Sequence, residues 1–187
     1  MEAIGKTSRI EKIIKLTLIT IVGSILITIS AKTKIPFYPV PMTMQTFVIL
    51  LIGITLGYKI GLATVILYLL EGIVGLPVFS NSPEKGIGIT YFIGPTMGYL
   101  IGFLFAVYFS GSFKYEKGIV DTFLKLIFSV SFIYILGLIW LGILIGWDKP
   151  IFKLGAQPFL LAELFKILLL LFITPALLKL KKLAKIT

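Results

Sequence analysis

The stretch VDTFLKLIFSVSFIYILGLIWLGIL, residues 120–144, carries no charged side chain from Leu126 to its end. A helix crossing the hydrocarbon core of a bilayer needs about 20 predominantly apolar residues, and this run supplies them. A buried helix of a soluble protein would explain one such run, but the chain holds several more. Further spans are expected over roughly residues 13–30, 43–56, 60–75, 94–110 and 157–178. Composition agrees: 58% of the 187 residues are hydrophobic and 14% charged, with a mean hydropathy of +1.06. Soluble domains carry about 25% charged residues, so there is too little polar surface here to coat a water-soluble globule. The expected fold is all-α: one membrane domain over residues 1–187, an integral bundle of six transmembrane helices with structured outer loops.

The connections carry their own signals. Basic residues Lys6, Arg9, Lys12 and Lys15 lead into the first span. Such a lead also precedes cleaved signal peptides, but Ser30-Ala31-Lys32 is a poor cleavage site and the apolar run is long, so a retained helix is expected. Lys34-Ile35-Pro36-Phe37-Tyr38-Pro39-Val40-Pro41 is too rich in proline to be helical throughout and reads as a rigid loop lying over something. The span 43–56 is short for a full crossing, which suggests tilt or extension by that loop. Gly57-Tyr58-Lys59 reads as a tight turn, and Leu76 to Gly88 as a long irregular loop. Pro95 is expected in the first turn of the fourth helix, where its missing N–H costs nothing.

Six spans put both termini on one side. That side would hold Lys6, Arg9, Lys12, Lys15, Lys59, Lys114, Lys117, Lys125, Lys179, Lys181, Lys182 and Lys185. The other would hold only Lys32, Lys34, Lys85, Lys149 and Lys153. Twelve cations against five predict a plasma-membrane protein with both termini in the cytoplasm and the proline-rich and Asn81 loops outside.

Several chemistries are excluded. With no cysteine and no histidine, disulfides, cysteine nucleophiles, zinc sites and Ser-His or Cys-His arrangements are gone. No GxxxxGK[ST] run or acidic cluster suited to magnesium occurs, so no nucleotide or other cofactor is expected. The net charge of +10 sits in clusters at the ends of apolar runs, a distribution suited to lipid headgroups and not to nucleic acid.

Gly53, Gly57 and Gly61 are four apart, as are Gly94, Gly98, Gly102, Ala106 and Ser110, and Gly142 with Gly146. Small residues at this spacing line one helix face and let backbones approach closely in lipid, within one bundle or against another subunit. Glu163 and Lys166 say more. They lie inside the last span at i and i+3, on one helix face, where charges usually mark a site. The competing reading is an ion pair that only snorkels to the interface. Glu71 is a second intramembrane acid, with interfacial exposure as its competing reading. A site on the outer side would combine Asn81 and Lys85 of the loop with Glu163 and Lys166. Tyr38, Tyr91, Phe79 and Trp147 are candidates for its walls. An amide, a carboxylate and one or two ammonium groups in an apolar lining suit a small amphiphilic solute bearing an anionic group.

At Pro39-Val40-Pro41-Met42-Thr43-Met44-Gln45-Thr46 the chain resembles the BioY family, the biotin-specific S components of energy-coupling factor importers. Leu67-Tyr68-Leu69-Leu70 with Gly75-Leu76-Pro77-Val78-Phe79, and Gly94-Pro95-Thr96-Met97-Gly98-Tyr99-Leu100-Ile101-Gly102-Phe103, follow in the same order and spacing. The resemblance covers about residues 32–178. It implies a compact six-helix fold whose external loops cap a biotin pocket, and partnership with a membrane coupling protein and two cytoplasmic ATPases. The family's final-helix pattern, usually Asp-x-x-Lys, is here Glu163-Leu164-Phe165-Lys166, and Asn81 falls where the family supplies a loop asparagine. The resemblance thus implies biotin-binding roles for Asn81, Glu163 and Lys166, with Gln45, Lys85 and Tyr91 as further candidates. Biotin's ureido N–H groups need acceptors, which Glu163 and Asn81 offer. Its ureido carbonyl and its carboxylate need donors, which Lys166, Asn81 and Lys85 offer.

Two departures stand out. The family's first helix commonly carries an Ala-x-x-x-Ala contact for the coupling protein, whereas Thr20, Ser24 and Thr28 stand here, and Glu71 occupies a usually apolar position. The competing functions are an S component for another vitamin or for a precursor such as dethiobiotin, a stand-alone ion-coupled carrier, and a membrane enzyme. No internal repeat supports a carrier. No second acid, metal cluster or nucleophile motif accompanies Glu163 and Lys166, so the chain is not expected to be an enzyme.

Overall fold

The computed structural model describes residues 2–37, 42–116 and 118–183. The first helix, α1 (Glu2–Lys32), extends the expected span 13–30 through its basic lead. Its inward face is Gly23, Ser24, Ile27, Ser30 and Ala31, all buried and spaced three or four apart. Ile10, Ile14, Leu18, Ile21, Val22, Ile25 and Ile29 are exposed on the rest of the surface, as a helix with lipid along most of its circumference requires. In the Thr20, Ser24 and Thr28 series, Ser24 is fully buried and Thr20 bonds back to the Leu16 carbonyl at 2.9 Å.

Between α1 and the next helix, β1 (Lys34–Ile35) and β2 (Met42–Thr43) pair antiparallel, Lys34 opposite Thr43. This short ladder closes the neck of the proline-rich loop. Tyr38, Pro39, Val40 and Pro41, which the sequence marks as wall and motif residues, lie outside the described residues, as do Lys117 and Lys185.

The expected spans 43–56 and 60–75 are both found in α2 (Gln45–Ile73), which reverses at Gly57 with φ 77° and ψ 169°. The reversal is a hairpin. The Gln45 Nε2 donates to the Tyr68 hydroxyl at 2.8 Å, whereas a straight helix would hold those residues about 34 Å apart. A Cβ on Gly61 would sit 3.7 Å from the Gly53 Cα, so the small residues face each other across the turn. The φ of Gly57 lies where only glycine settles without strain. Its arms are about 18 and 24 Å long, shorter than the hydrocarbon core.

Beyond the loop, α3 (Gly88–Phe92) forms a single turn where the sequence suggested no regular structure. The fourth helix, α4 (Met97–Ser112), begins three residues later than expected. Gly94, Pro95 and Thr96 make a turn before it, not its first turn. The Gly94 carbonyl there accepts both the Met97 N–H at 3.2 Å and the Trp140 Nε1 at 2.8 Å, which holds that segment out of helix. The helices α5 (Ile119–Ile145) and α7 (Leu160–Leu183) match the expected fifth and sixth spans. Between them, α6 (Ile151–Gly155) orders a segment expected to be a loop, and a 3-10 turn (Gln157–Phe159) occupies the first three residues of the expected last span, so that α7 starts at Leu160.

The glycine series packs within this bundle. Gly98 sits on the Leu136 carbonyl and the Trp140 Cβ, Gly102 on the Ile133 backbone, and Gly53 against Ser110 and the Val107 carbonyl. The 45–56 and 58–73 arms of α2, with α4 and α5, enclose a core of Ile49, Leu50, Val65, Tyr68, Phe103, Val107, Leu126, Ile133 and Leu170. The six-helix count stands: α1, two arms of α2, α4, α5 and α7. Both ends of α2, the N-terminal ends of α4 and α7 and the C-terminal ends of α1 and α5 meet at one end of the bundle. Gly57 marks the other.

Candidate functional site

Glu163 and Lys166 stand in the first two turns of α7, and α2 and α5 cover them. Both are about nineteen-twentieths buried, at 4% and 5% exposure. A snorkelling pair would be wet at its polar ends, so the interfacial reading fails. Lys166 Nζ lies 3.0 Å from Glu163 Oε2 and 2.8 Å from the Thr46 hydroxyl. Thr46 donates its own proton to Glu163 Oε2 at 3.1 Å. The Tyr134 hydroxyl, from the middle of α5, donates to the same oxygen at 3.1 Å.

Three donors therefore converge on Oε2, and none on Oε1. Glu163 Oε1 is buried and has no hydrogen-bond partner among the described residues. Buried acceptors are nearly always paired, and an unpaired carboxylate oxygen costs more than a neutral one. Lys166 has the complementary surplus. An ammonium carries three N–H donors, and two of them are used among the described residues. The pair presents one unpaired acceptor and one spare donor, which apolar lipid cannot satisfy.

The other sequence candidates fall into two groups. Gln45, adjacent to Thr46, turns away from the pair and donates to Tyr68. Tyr68 in turn donates to the Val78 carbonyl at 3.3 Å, tying the start of the 76–88 loop to both arms of α2. Phe79 fills the same corner. It stacks on Tyr91 with centroids 4.9 Å apart and meets Tyr68 edge-on at 5.5 Å, over Gly72, where any side chain would strike its ring. Tyr91 is thus buried in an aromatic cluster under the loop. Asn81 is half-buried on that loop, and its side-chain amide makes no hydrogen bond among the described residues. Lys32, at the end of α1, holds the loop from the other side through the carbonyl and hydroxyl of Ser82.

Two candidates are not brought to the site. Lys85 is exposed, and Trp147 is 64% exposed with its indole lying over Gly142. Glu71 does not reach freely to an interface: it is half-buried and accepts the hydroxyl proton of Ser24 on α1. An open groove of about 520 Å³, lined by Phe109, Phe113, Leu124 and Phe128 with the Asp121–Lys125 pair, lies near the Gly57 end. It is far from Glu163, almost wholly apolar, and a poor place for a polar solute.

Thr46 and Tyr134 were not singled out by sequence reasoning. Thr46 closes the quoted motif beside Gln45, and the physical signal for Tyr134 is a phenol in the middle of an apolar span, whose hydroxyl must find a partner.

A family model described as the BioY family matches residues 5–183. Among curated proteins, the chain is 35% identical over 159 residues to a biotin transporter BioY of Thermotoga maritima, covering 84% of this chain and 90% of the relative. It is 33% identical over 141 residues to a probable biotin transporter BioY of Pyrococcus horikoshii, covering 75% and 82%. Among solved structures, it is similar to the S-component for biotin from an ECF-type ABC transporter, with a TM-score of 0.72 and 25% identity over 90% of this chain and 93% of that one.

Proposed function

The chain belongs to the BioY family, and we propose on that premise that it is a membrane-embedded S component that binds biotin for uptake. Binding and delivery are its work, not catalysis. The observation that carries the site assignment is the unpaired Glu163 Oε1 together with the spare donor of Lys166. A cyclic urea offers an N–H and a carbonyl side by side, and that edge satisfies both groups at once. Asn81, half-buried on the 76–88 loop with no side-chain hydrogen bond among the described residues, is assigned as the third polar contact. Gln45 and Tyr91 act behind it by fixing the loop through Tyr68 and Phe79. Lys85, exposed on the same loop and not brought to the pair, is proposed only as a cation for the ligand's carboxylate on the water-facing side.

The orientation proposed puts this loop outside the cell and both termini in the cytoplasm, supported by twelve cations against five. Transport energy would come from a membrane coupling protein and two cytoplasmic ATPases. The kinship to an S-component of an ECF-type ABC transporter and the lack of a phosphate-binding loop in the sequence support that division of labour.

The test is equilibrium biotin binding to detergent-purified protein, with Glu163→Ala, Lys166→Ala and Asn81→Ala alongside and dethiobiotin as competitor. Tight binding lost in all three variants is expected. Tight binding untouched by Glu163→Ala would move the pocket elsewhere, and no binding by a folded wild type would sink the biotin assignment.

A further inference from the structure

We propose that Thr46 and Tyr134 are positioning residues that fix the Glu163 carboxylate so that a single oxygen faces the ligand, and so restrict the site to solutes with an unsubstituted N–H at that point. The inference rests on the biotin reading of the Glu163–Lys166 pair and goes beyond it to substrate discrimination.

A glutamate carboxylate is two-fold symmetric, and its last torsion is broad. Left alone in a cavity, either oxygen could turn toward a ligand, and the group could swing to accommodate a substituent. Here it cannot. Oε2 receives Lys166 at 3.0 Å, Thr46 at 3.1 Å and Tyr134 at 3.1 Å, from three different helices. Rotation of the carboxylate would break all three contacts. Each is charge-assisted, the stronger kind of hydrogen bond.

The two hydroxyls are themselves fixed. Thr46 accepts from Lys166 at 2.8 Å, which leaves its proton for Glu163 and for nothing else. The Tyr134 ring meets Tyr99 edge-on, with centroids 6.2 Å apart at 87°. Tyr99 donates to the Gly155 carbonyl at 2.8 Å and lies over Gly137 of α5, where a methyl group would collide with the ring. The end of α6 therefore braces Tyr99, Tyr99 braces Tyr134, and Tyr134 fixes the carboxylate. Oε1 remains, buried and unpaired among the described residues. One immobile acceptor accepts a hydrogen but has no room to give way to a methyl.

The experiment compares the affinities of biotin and of its two mono-N-methyl ureido isomers for wild type, Tyr134→Phe, Thr46→Val and Thr46→Ser. Wild type should bind biotin at least about tenfold more tightly than the isomer whose methyl meets Oε1, the loss expected for a hydrogen bond to a charged group. In Tyr134→Phe and Thr46→Val the carboxylate is freed to turn, and that ratio should shrink several-fold while biotin itself weakens. Thr46→Ser keeps the hydroxyl and should keep the wild-type ratio. A purely structural role would weaken all three ligands by one common factor and leave the ratio unchanged, which would overturn the inference, as would wild-type affinities in Tyr134→Phe. Those outcomes leave biotin binding standing. Failure of folded wild type to bind biotin would remove the functional reading and this inference together.

Discussion

Replacing Lys166 with methionine removes a cation and keeps most of the side chain's length and apolar bulk, so it isolates the charge. With 3.0 Å between Nζ and Oε2, the Coulomb attraction is about 5 kcal/mol at an effective dielectric of 20. Both groups are about 5% exposed, so solvent screening does little to reduce it. The attraction is largely offset by the cost of taking two ions out of water, several kcal/mol each. Removal of one partner therefore exposes the uncompensated cost, and Lys166→Met should destabilise the fold by about 3–5 kcal/mol. Glu163→Gln in the same chain removes the stranded charge while keeping an acceptor for Tyr134 and Thr46. The double variant should recover most of that loss, within about 1–2 kcal/mol of wild type, because well-packed neutral groups replace buried pairs at little cost. Biotin binding should stay lost in both. The assay is a double-mutant cycle in thermal or denaturant unfolding of detergent-purified protein, with equilibrium binding in parallel. Additive single-variant losses, with a coupling below about 0.5 kcal/mol, are what independent sites give. That result would refute the claim that the two charges are buried against each other.

Three further outcomes follow from the same structure. Gly57→Ala puts a Cβ at φ 77°, ψ 169°, and should cost about 1–3 kcal/mol of unfolding free energy with biotin affinity little changed in the folded fraction. Tyr68→Phe strands the Gln45 amide and the Val78 carbonyl; hydrogen exchange or proteolysis should show the 76–88 loop opening more often, with a stability loss of about 1–3 kcal/mol. Ser24→Ala leaves the Glu71 carboxylate without its described donor, and unfolding should register a loss of about 1–3 kcal/mol that Glu71→Gln in the same chain largely reverses. An unchanged melting temperature in Ser24→Ala would mean that Glu71 is solvated from the membrane surface instead.

What the sequence revealed and what it hid divide along a physical line. Apolar runs long enough for a bilayer, and cations crowded at their ends, are one-dimensional signals, and they gave α5 and α7 to within about five residues and the C-terminal end of α1, whose N-terminal end runs eleven residues further, through the basic lead. The isolated intramembrane charges Glu163 and Lys166 were legible because burying a charge in lipid is too costly to occur without a reason. The turn at Gly57 was legible for a similar reason, a glycine followed by a polar pair between apolar runs. Local propensity failed where a tertiary hydrogen bond decided the matter. Pro95 suits the first turn of a helix, yet the Trp140 indole claims the Gly94 carbonyl and the helix starts at Met97. The short helices α3 and α6 lack periodicity of their own and are ordered by what they brace. The site's supporting residues were hidden most completely. Thr46 and Tyr134 are 88 positions apart in sequence, and nothing in either neighbourhood says that both protons end on one oxygen of a third helix. The hairpin at Gly57 makes this possible. Because α2 turns back after about 18 Å, its first residues and its last stand at the same end of the bundle. Thr46, Gln45 and Tyr68 thereby become neighbours, with Thr46 against the charged pair and Tyr68 under the loop. A straight α2 would have carried Tyr68 and the loop it holds some 34 Å from Gln45 and its neighbour Thr46. The short arms that look inadequate for crossing a membrane are therefore what assembles the site.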